Sequence, residues 1–379
     1  MSENGRQPDW IKSIHLKYFT AFEDISIDFS PGINFIIGEN GTGKTHLLKV
    51  MYAVCRNLAK SSNDEKSTLH QTLDEYFQNH RRGSWNLVNY IAPSVSVKSD
   101  DDEYLLDTRR AFIEVDSFGH GDVHSELIEY SSLSKDTGSS ITYPATSGWG
   151  GNLSWNPNAT FIPAKEMLSH NKGLVATMDE RHMPFERQYR DILSKAAVNP
   201  LRDGNHKSWQ RELMDRIAKT IGGPVVEENE VYYVKTDHGP LEFTLVAEGH
   251  RKLALYWLLL NNGMLDEGTI LFIDEPEANL NPKLMGFMVE LLLELSRHGV
   301  QIFVASHSFV MFKSLEQRRL ESDRLRFHSL YRDNEQDGKI CCESHDNPLD
   351  LVHDPILEAY NELYDRDIAE ISKRIRQGS

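Results

Sequence analysis

Gly38-Glu39-Asn40-Gly41-Thr42-Gly43-Lys44-Thr45 leaves this chain few options. Glycine, four residues, then Gly-Lys-Thr is the spacing of a phosphate-cradling loop, which needs a strand before it and a helix after it. Glycines let successive backbone N–H groups turn inward as an anion nest, and the start of the following helix adds positive charge. Lys44 would reach β- and γ-phosphates, and the Thr45 hydroxyl would ligate Mg²⁺. The surroundings fit: Ile33-Asn34-Phe35-Ile36-Ile37 reads as a buried strand, and Leu47, Leu48, Met51 and Val54 follow at helical spacing.

A second stretch answers the first. Thr269-Ile270-Leu271-Phe272-Ile273-Asp274-Glu275-Pro276 is an apolar strand that delivers two adjacent carboxylates at its C-terminal end, where parallel sheets bind ligands. Asp274 is placed to hold Mg²⁺ through water, and Glu275 to act as general base on an attacking water. Asn281-Pro282 then opens an amphipathic helix carrying Leu284, Phe287, Met288, Leu291, Leu292 and Leu295, closed by Gly299. Residues 300–305 read as another buried strand, which ends in Ser306-His307-Ser308. A histidine there can sense a γ-phosphate.

Elsewhere the chain supplies scaffold. Residues 11–16 and 25–29 alternate as half-buried strands, with Tyr18, Phe19 and Phe22 in the loop between them. Core packing suits most of those rings, although one could stack on adenine. Residues 61–66 read as a polar linker and 68–82 as a helix with Leu69, Leu73 and Phe77 on one face. Residues 111–115, 126–130 and 140–143 look like short antiparallel strands, and 159–162 like a further strand. Residues 231–234 and 241–245 make a hairpin around Asp237-His238-Gly239, and Ala247-Glu248-Gly249-His250-Arg251-Lys252 opens an apolar helix.

Charge excludes some functions. The net charge is −16, which argues against a broad basic face for duplex DNA. Residues 165–219 hold 11 Lys/Arg against 8 Asp/Glu, a net of +3 that leaves −19 elsewhere. They are the one candidate polyanion surface, though a solvated helical lobe explains them as well. Three cysteines are too few for a disulfide framework, and His120 and His124 come nearest to a metal pair without making one. With no apolar run of about 18 residues and no signal pattern at the start, a cytoplasmic protein without a membrane span is expected. Asn171-Lys172-Gly173-Leu174 lacks the final Asp of a guanine reader, and the Leu-Ser-Gly-Gly-Gln of transporter ATPases is missing.

Together these pieces resemble the ABC-type ATPase heads of the SMC, RecF and OLD-like group, over roughly residues 10–57 and 161–315. Residues 35–41 look like that group's phosphate loop, Asp274-Glu275-Pro276-Glu277-Ala278-Asn279-Leu280-Asn281-Pro282 like its Walker B end running into the D-loop, and Ala305-Ser306-His307-Ser308 like its switch histidine. The resemblance implies an α/β fold, a P-loop NTPase of ABC-ATPase type whose mixed central sheet carries an antiparallel β part and an inserted helical lobe. It implies ATP and Mg²⁺ as cofactors, bound by Gly38, Glu39, Asn40, Gly41, Thr42, Gly43, Lys44 and Thr45. Heads of this kind close on ATP as dimers, so Glu248 and Gly249 would act on the partner's ATP, with Asn279 and Asn281 at the seam. Lys44, Glu275 and His307 would be catalytic, and Thr45 and Asp274 would hold the metal.

The pattern also departs from the group. Ala247-Glu248 stand where a Ser precedes the signature Gly, and Lys165 or Glu166 stands where the Q-loop has Gln. Residues 162–168 with 247–252 look like compact bacterial defence ATPases, most of all the ATPase subunit of Septu-type systems, also found with some retrons. That implies an anti-phage role beside a partner nuclease, with any nucleic acid reached through the complex. The alternative is a RecF- or SMC-like repair ATPase that meets DNA through residues 165–219. An OLD-like Toprim domain is not expected after Arg318. The expected domains are residues 1–164 and 245–330 for the core (including an insert at about 60–160), 165–244 for the helical, signature-side lobe, and 331–379 for a hairpin-and-helix appendage.

Overall fold

Side chains that alternate along the central strands decide how the layers stack. The computed structural model describes residues 10–61, 73, 75–77, 87, 94–98, 105–119, 122–133, 157–181, 183, 185–202 and 204–377. The chain opens with the antiparallel pair β1 (Trp10–Phe19) and β2 (Phe22–Asp28). Next come β3 (Ile33–Gly38), the glycine loop and α1 (Lys44–Ser61). β4 (Ser94–Lys98), β5 (Leu105–Gly119) and β6 (Asp122–Leu133) join β1 through β5. Among the described residues this makes a five-stranded antiparallel sheet, ordered β2-β1-β5-β4 with β6 on β5.

β7 (Asn158–Ile162) returns to the centre and leads into a lobe. The lobe holds α2 (Leu174–Arg181), α3 (Arg187–Ala196), α4 (Ser208–Ile221) and the small sheet of β8 (Val225–Glu228), β9 (Val231–Thr236) and β10 (Gly239–Glu242). α5 (Glu248–Asn261), β11 (Thr269–Asp274), α6 (Pro282–Arg297), β12 (Gln301–Ala305) and α7 (Phe309–Arg318) complete the core. β13 (Leu325–Asp333), β14 (Lys339–His345) and α8 (Pro355–Gln377) end it. The central sheet runs β14-β13-β3-β12-β11-β7, parallel except for β14.

Alternation sorts the core into two halves. Phe35, Ile37, Leu271, Ile273 and Val304 face the cluster that includes Leu253, Leu259, Leu292 and Met311 of α5, α6 and α7. Ile36, Ile270, Phe272 and Phe303 face Leu47, Met51 and Val54 of α1, with Ile14 and Leu16 of the antiparallel sheet behind them. All these side chains are buried, each contributing about 1.5–3 kcal/mol of apolar transfer. The fold is thus the expected α/β P-loop type, a mixed sheet with an antiparallel part. Among the described residues no helix is long and apolar enough to cross a membrane.

Several expectations need correction. Phe19 and Phe22 are not loop residues but face each other as the last pair of the β1–β2 ladder, both fully buried. Residues 241–245 do not form a full strand: β10 stops at Glu242, and Phe243–Leu245 is a 3₁₀ turn. The reason is Arg251, whose guanidinium takes the Phe243 and Val246 carbonyls at 3.1 and 2.7 Å. The C-terminal hairpin is no appendage, because β13 starts before residue 331 and pairs with β3 over Ile33–Gly38. The strands expected at 111–115 and 126–130 extend into the long β5–β6 hairpin. Most of the linker at 61–66 and of the helix at 68–82, and all of the strand at 140–143, lie outside the described residues.

Candidate active site

Register brings the two acidic and glycine-rich stretches together. In the parallel sheet β12 separates β3 from β11, with Ile36 beside Ala305 and Ala305 beside Asp274. All three strands therefore release their C-terminal residues at one edge. There the glycine loop, the Asp274-Glu275 pair and His307 surround a cavity of about 260 Å³, lined by Asn40, Gly41, Lys44, Asp274, Glu275 and His307 among others. A larger cavity of about 720 Å³ lies around Pro31, Arg319 and Asp346. Arg319 and Arg326 are already bound to Asp346 there, and it holds no comparable loop.

Two of the loop's glycines, Gly38 and Gly43, are required by close approaches. Gly38 has φ +152°, and a Cβ there would collide with the Leu330 carbonyl of β13. Gly43 has φ +93°, and its Cβ would lie 2.6 Å from the Phe22 ring. Phe22 therefore supports the loop from below, and neither it, Tyr18 nor Phe19 lines the cavity. The Glu39 carbonyl accepts the Thr42 hydroxyl at 2.9 Å, and the Gly41 carbonyl accepts Arg332 Nη2 at 3.0 Å.

Lys44 Nζ donates to the Gly38 and Glu39 carbonyls at 2.7 and 2.8 Å, spanning the loop it serves. Burial lowers its pKa to about 8, against the opposing pull of Asp274 and Glu275. Thr45 Oγ1 donates to both carboxylate oxygens of Asp274. Burial raises the Asp274 pKa to about 6, with the Thr45 hydrogen bond opposing the shift. A hydroxyl and a carboxylate converging in this way are hard oxygen donors of the kind Mg²⁺ takes, so the residues fit that ion.

Glu275 leaves the strand with φ +47°, a left-handed conformation that costs a non-glycine residue about 1–3 kcal/mol. Its N–H is fixed on the Ala305 carbonyl at 2.9 Å, and its carboxylate stays nearly half exposed at the cavity. His307 Nε2 lies 3.9 Å from Glu275 Oε1, and burial followed by Lys44 lowers the imidazole pKa.

Glu277 is the residue that the sequence reading left without a role. One of its carboxylate oxygens accepts both the Ser306 hydroxyl and the His307 N–H at 2.8 Å. It ties the turn after Glu275 to the histidine loop. Only its place three residues beyond Asp274 hinted at this.

The signature-side residues sit together in one chain. Asn279, with φ +63°, donates from its amide to Glu248 Oε1 at 2.7 Å. Gly249 is buried, and a Cβ there would lie 3.0 Å from the Asn279 carbonyl and 3.1 Å from Leu280. Its missing side chain thus serves its own D-loop, whatever it does for a partner. Asn281 is not free for a seam, because its side chain caps α6 by accepting Leu284 N–H at 3.0 Å. Neither Q-loop candidate lines the cavity. Glu166 accepts Arg251 Nε at 2.5 Å and the Ser169 N–H and hydroxyl, while Lys165 is exposed.

Residues 33–311 match the protein family described as "AAA domain, putative AbiEii toxin, Type IV TA system". The DNA replication and repair protein RecF of Streptococcus agalactiae serotype Ia is 36% identical over 61 residues, which is 16% of this chain and 16% of that protein's own length. RecF of Limosilactobacillus reuteri is 37% identical over 59 residues, 15% of each chain. Among solved structures, the SMC head domain from Thermotoga maritima covers 88% of this chain and 98% of its own, with 15% identity and a TM-score of 0.45. A Pyrococcus furiosus Smc head bound to the C-terminal domain of ScpA covers 94% and 99%, with 12% identity and a TM-score of 0.45.

Proposed function

The chain belongs to the AAA-type ATPase domain family matched over residues 33–311, and on that premise we propose that it binds and hydrolyses ATP between two copies of itself and uses the cycle to control a partner nuclease in anti-phage defence. The observation that carries the ATPase reading is the contact of Thr45 with Asp274 at the mouth of the cavity, with Glu275 as the next residue.

The chemistry follows from the placement of these groups. Loop N–H groups and Lys44 hold the β- and γ-phosphates. Thr45 and Asp274 would hold Mg²⁺, which when bound neutralises developing phosphate charge. Glu275, exposed at the cavity, takes a proton from a water as its oxygen attacks the γ-phosphorus. The bond from the γ-phosphorus to the bridging oxygen breaks, leaving ADP and phosphate. His307, steadied by Glu277, faces the same space. Glu248, Gly249 and Asn279 lie together and would complete the site of the second copy.

The defence role rests on the motif resemblance to Septu-type ATPases and on the family's description as a toxin of a toxin–antitoxin system. The RecF identity supports the alternative, a DNA-repair ATPase gripping DNA through residues 165–219. Part of that charge is paired within the chain, Arg187 with Asp191, Arg190 with Asp179, Lys207 with Asp266 and Arg216 with Glu290, while Lys165, Lys172, Arg181, Arg202, Arg211 and Lys219 stand exposed. Lys195 is half-buried and donates to the Ala159 carbonyl and the Thr160 hydroxyl at 2.7 and 2.9 Å.

The test is turnover by the purified chain with Mg²⁺ and ATP. Glu275→Gln should keep ATP binding and lose roughly 10²–10⁴ of the rate, the worth of a general base. Lys44→Ala should lose binding. Undiminished turnover in Glu275→Gln would sink the assignment. For the defence reading, DNA cleavage is assayed with the chain alone and with the proteins encoded beside it; metal-dependent cutting by the chain alone counts against a partner nuclease.

A further inference from the structure

The terminal helix α8 leaves the body that anchors it. Asp354 Oδ1 accepts the Ile356 and Leu357 N–H groups at 3.1 and 2.9 Å, Ile356 is buried, and Tyr360 stacks on Phe309 with centroids 4.3 Å apart. Residues 361–371 are then all exposed, including Tyr364 at 66%, Ile368 at 45% and Ile371 at 57%. From Asn361 to the end of α8 the overhang is about 25 Å of helix. Most helical stability in proteins comes from packing an apolar face, and the apolar side chains of residues 361–371 pack against nothing among the described residues. The exposed Glu362–Arg366 pair at 3.5 Å adds little.

The sequence of α8 supplies what the overhang lacks. Leu357, Asn361, Tyr364, Ile368, Ile371 and Ile375 recur at alternating spacings of four and three. That is the seam of a coiled coil, with Asn361, Ile368 and Ile375 at a and Leu357, Tyr364 and Ile371 at d. β-Branched residues at a favour two strands when d is Leu, as at Leu357, whereas Ile371 at d works against that; the single Asn at a, meeting its own counterpart, specifies register and oligomer state. The seam is therefore self-complementary. Asn361 selects the direction: in a parallel pair position a meets a of the second helix, so Asn361 meets Asn361, and Asp367 at g faces the uncharged Ser372 at e without repulsion.

We propose that α8 is a second self-association surface, through which two copies of the chain pair their C-terminal helices in parallel and in register. This contact needs no nucleotide. A parallel pair has twofold symmetry, as a head-to-head dimer does. Either interface would thus raise the effective concentration for the other.

The test uses the full chain without nucleotide, by sedimentation equilibrium at micromolar concentrations. Wild type should show a reversible monomer–dimer equilibrium. Ile368→Asp with Ile371→Asp should weaken it at least 100-fold and leave the melting temperature of the dilute monomer unchanged, since both side chains are exposed in one copy. Asn361→Cys should form, on mild oxidation, a disulfide between the two substituted positions, mapped by peptide mass. A monomeric wild type, an unweakened dimer in the double variant, or no disulfide between the two substituted positions would each overturn the proposal.

Discussion

Thr45 and Asp274, 229 residues apart in sequence, are joined by one hydroxyl that reaches both oxygens of one carboxylate, at 3.0 and 3.1 Å. The pair fastens the first turn of α1 to the end of β11, so the two halves of the site keep their spacing without a ligand. Thr45→Val keeps the side-chain shape and removes the hydroxyl. Wild type should hold ATP more tightly with Mg²⁺ than with EDTA, and the variant should lose at least roughly 10-fold of that difference. Fluorescence titration with a labelled nucleotide reads it directly. An intact Mg²⁺ effect would remove Thr45 from the metal site.

Sharing of the site between copies is best tested by complementation. Gly249→Asp damages the signature turn and leaves the phosphate loop whole, while Lys44→Ala does the reverse. Each alone should be inactive. Mixed, they form hybrid dimers with one complete site, and ATP turnover should reappear. Because Gly249 also packs on Asn279 and Leu280 of its own chain, inactivity of the single variant decides nothing; the mixture does.

Glu277 should matter without touching substrate. Glu277→Ala frees the Ser306 hydroxyl and the His307 N–H from their shared acceptor. Misplacing His307 should lower kcat by up to about 10²-fold while KM for ATP changes little. A rise in KM at constant kcat would show Glu277 acting in binding instead.

His328 should shape acid stability. It is fully buried on β13, with Nδ1 2.8 Å from the Ser344 hydroxyl and Nε2 3.2 Å from Asn34 Oδ1. Burial drops its pKa to about 3. The unfolded chain gains this proton near pH 6.5 and the folded chain does not, so stability falls as pH drops from 6.5 toward 3. The slope approaches about 1.4 kcal/mol per pH unit. Urea midpoints between pH 7 and 5 should fall more steeply for wild type than for His328→Gln; parallel curves would exclude His328 as the cause.

What could be read in advance was what lies next to its own explanation. Lys44, Thr45, Asp274 and Glu275 each follow an apolar strand at fixed spacing, so chemistry and position are written in one stretch. Glu277 and Arg332 were not legible, because their partners lie 29 to 291 residues away. The Phe243 turn was hidden because its cause is Arg251, on the next helix. The signature residues were found by likeness. Their contacts within the chain, Glu248 to Asn279 and Gly249 to Leu280, depend on how α5 and the D-loop meet, which no local pattern records.

The placement of β13 has a consequence for how the molecule comes into being. Its Leu325 pairs with Ile33 and its Leu330 with Gly38, so the strand that walls one side of the phosphate loop is made 292 residues after it. Loop closure over such a span is slow, and at ribosomal speeds the wait is on the order of tens of seconds. A nascent chain thus carries its glycine loop early and has no finished nucleotide site until the sheet closes near residue 333. The newborn chain is silent toward ATP until β13 has been made and paired with β3.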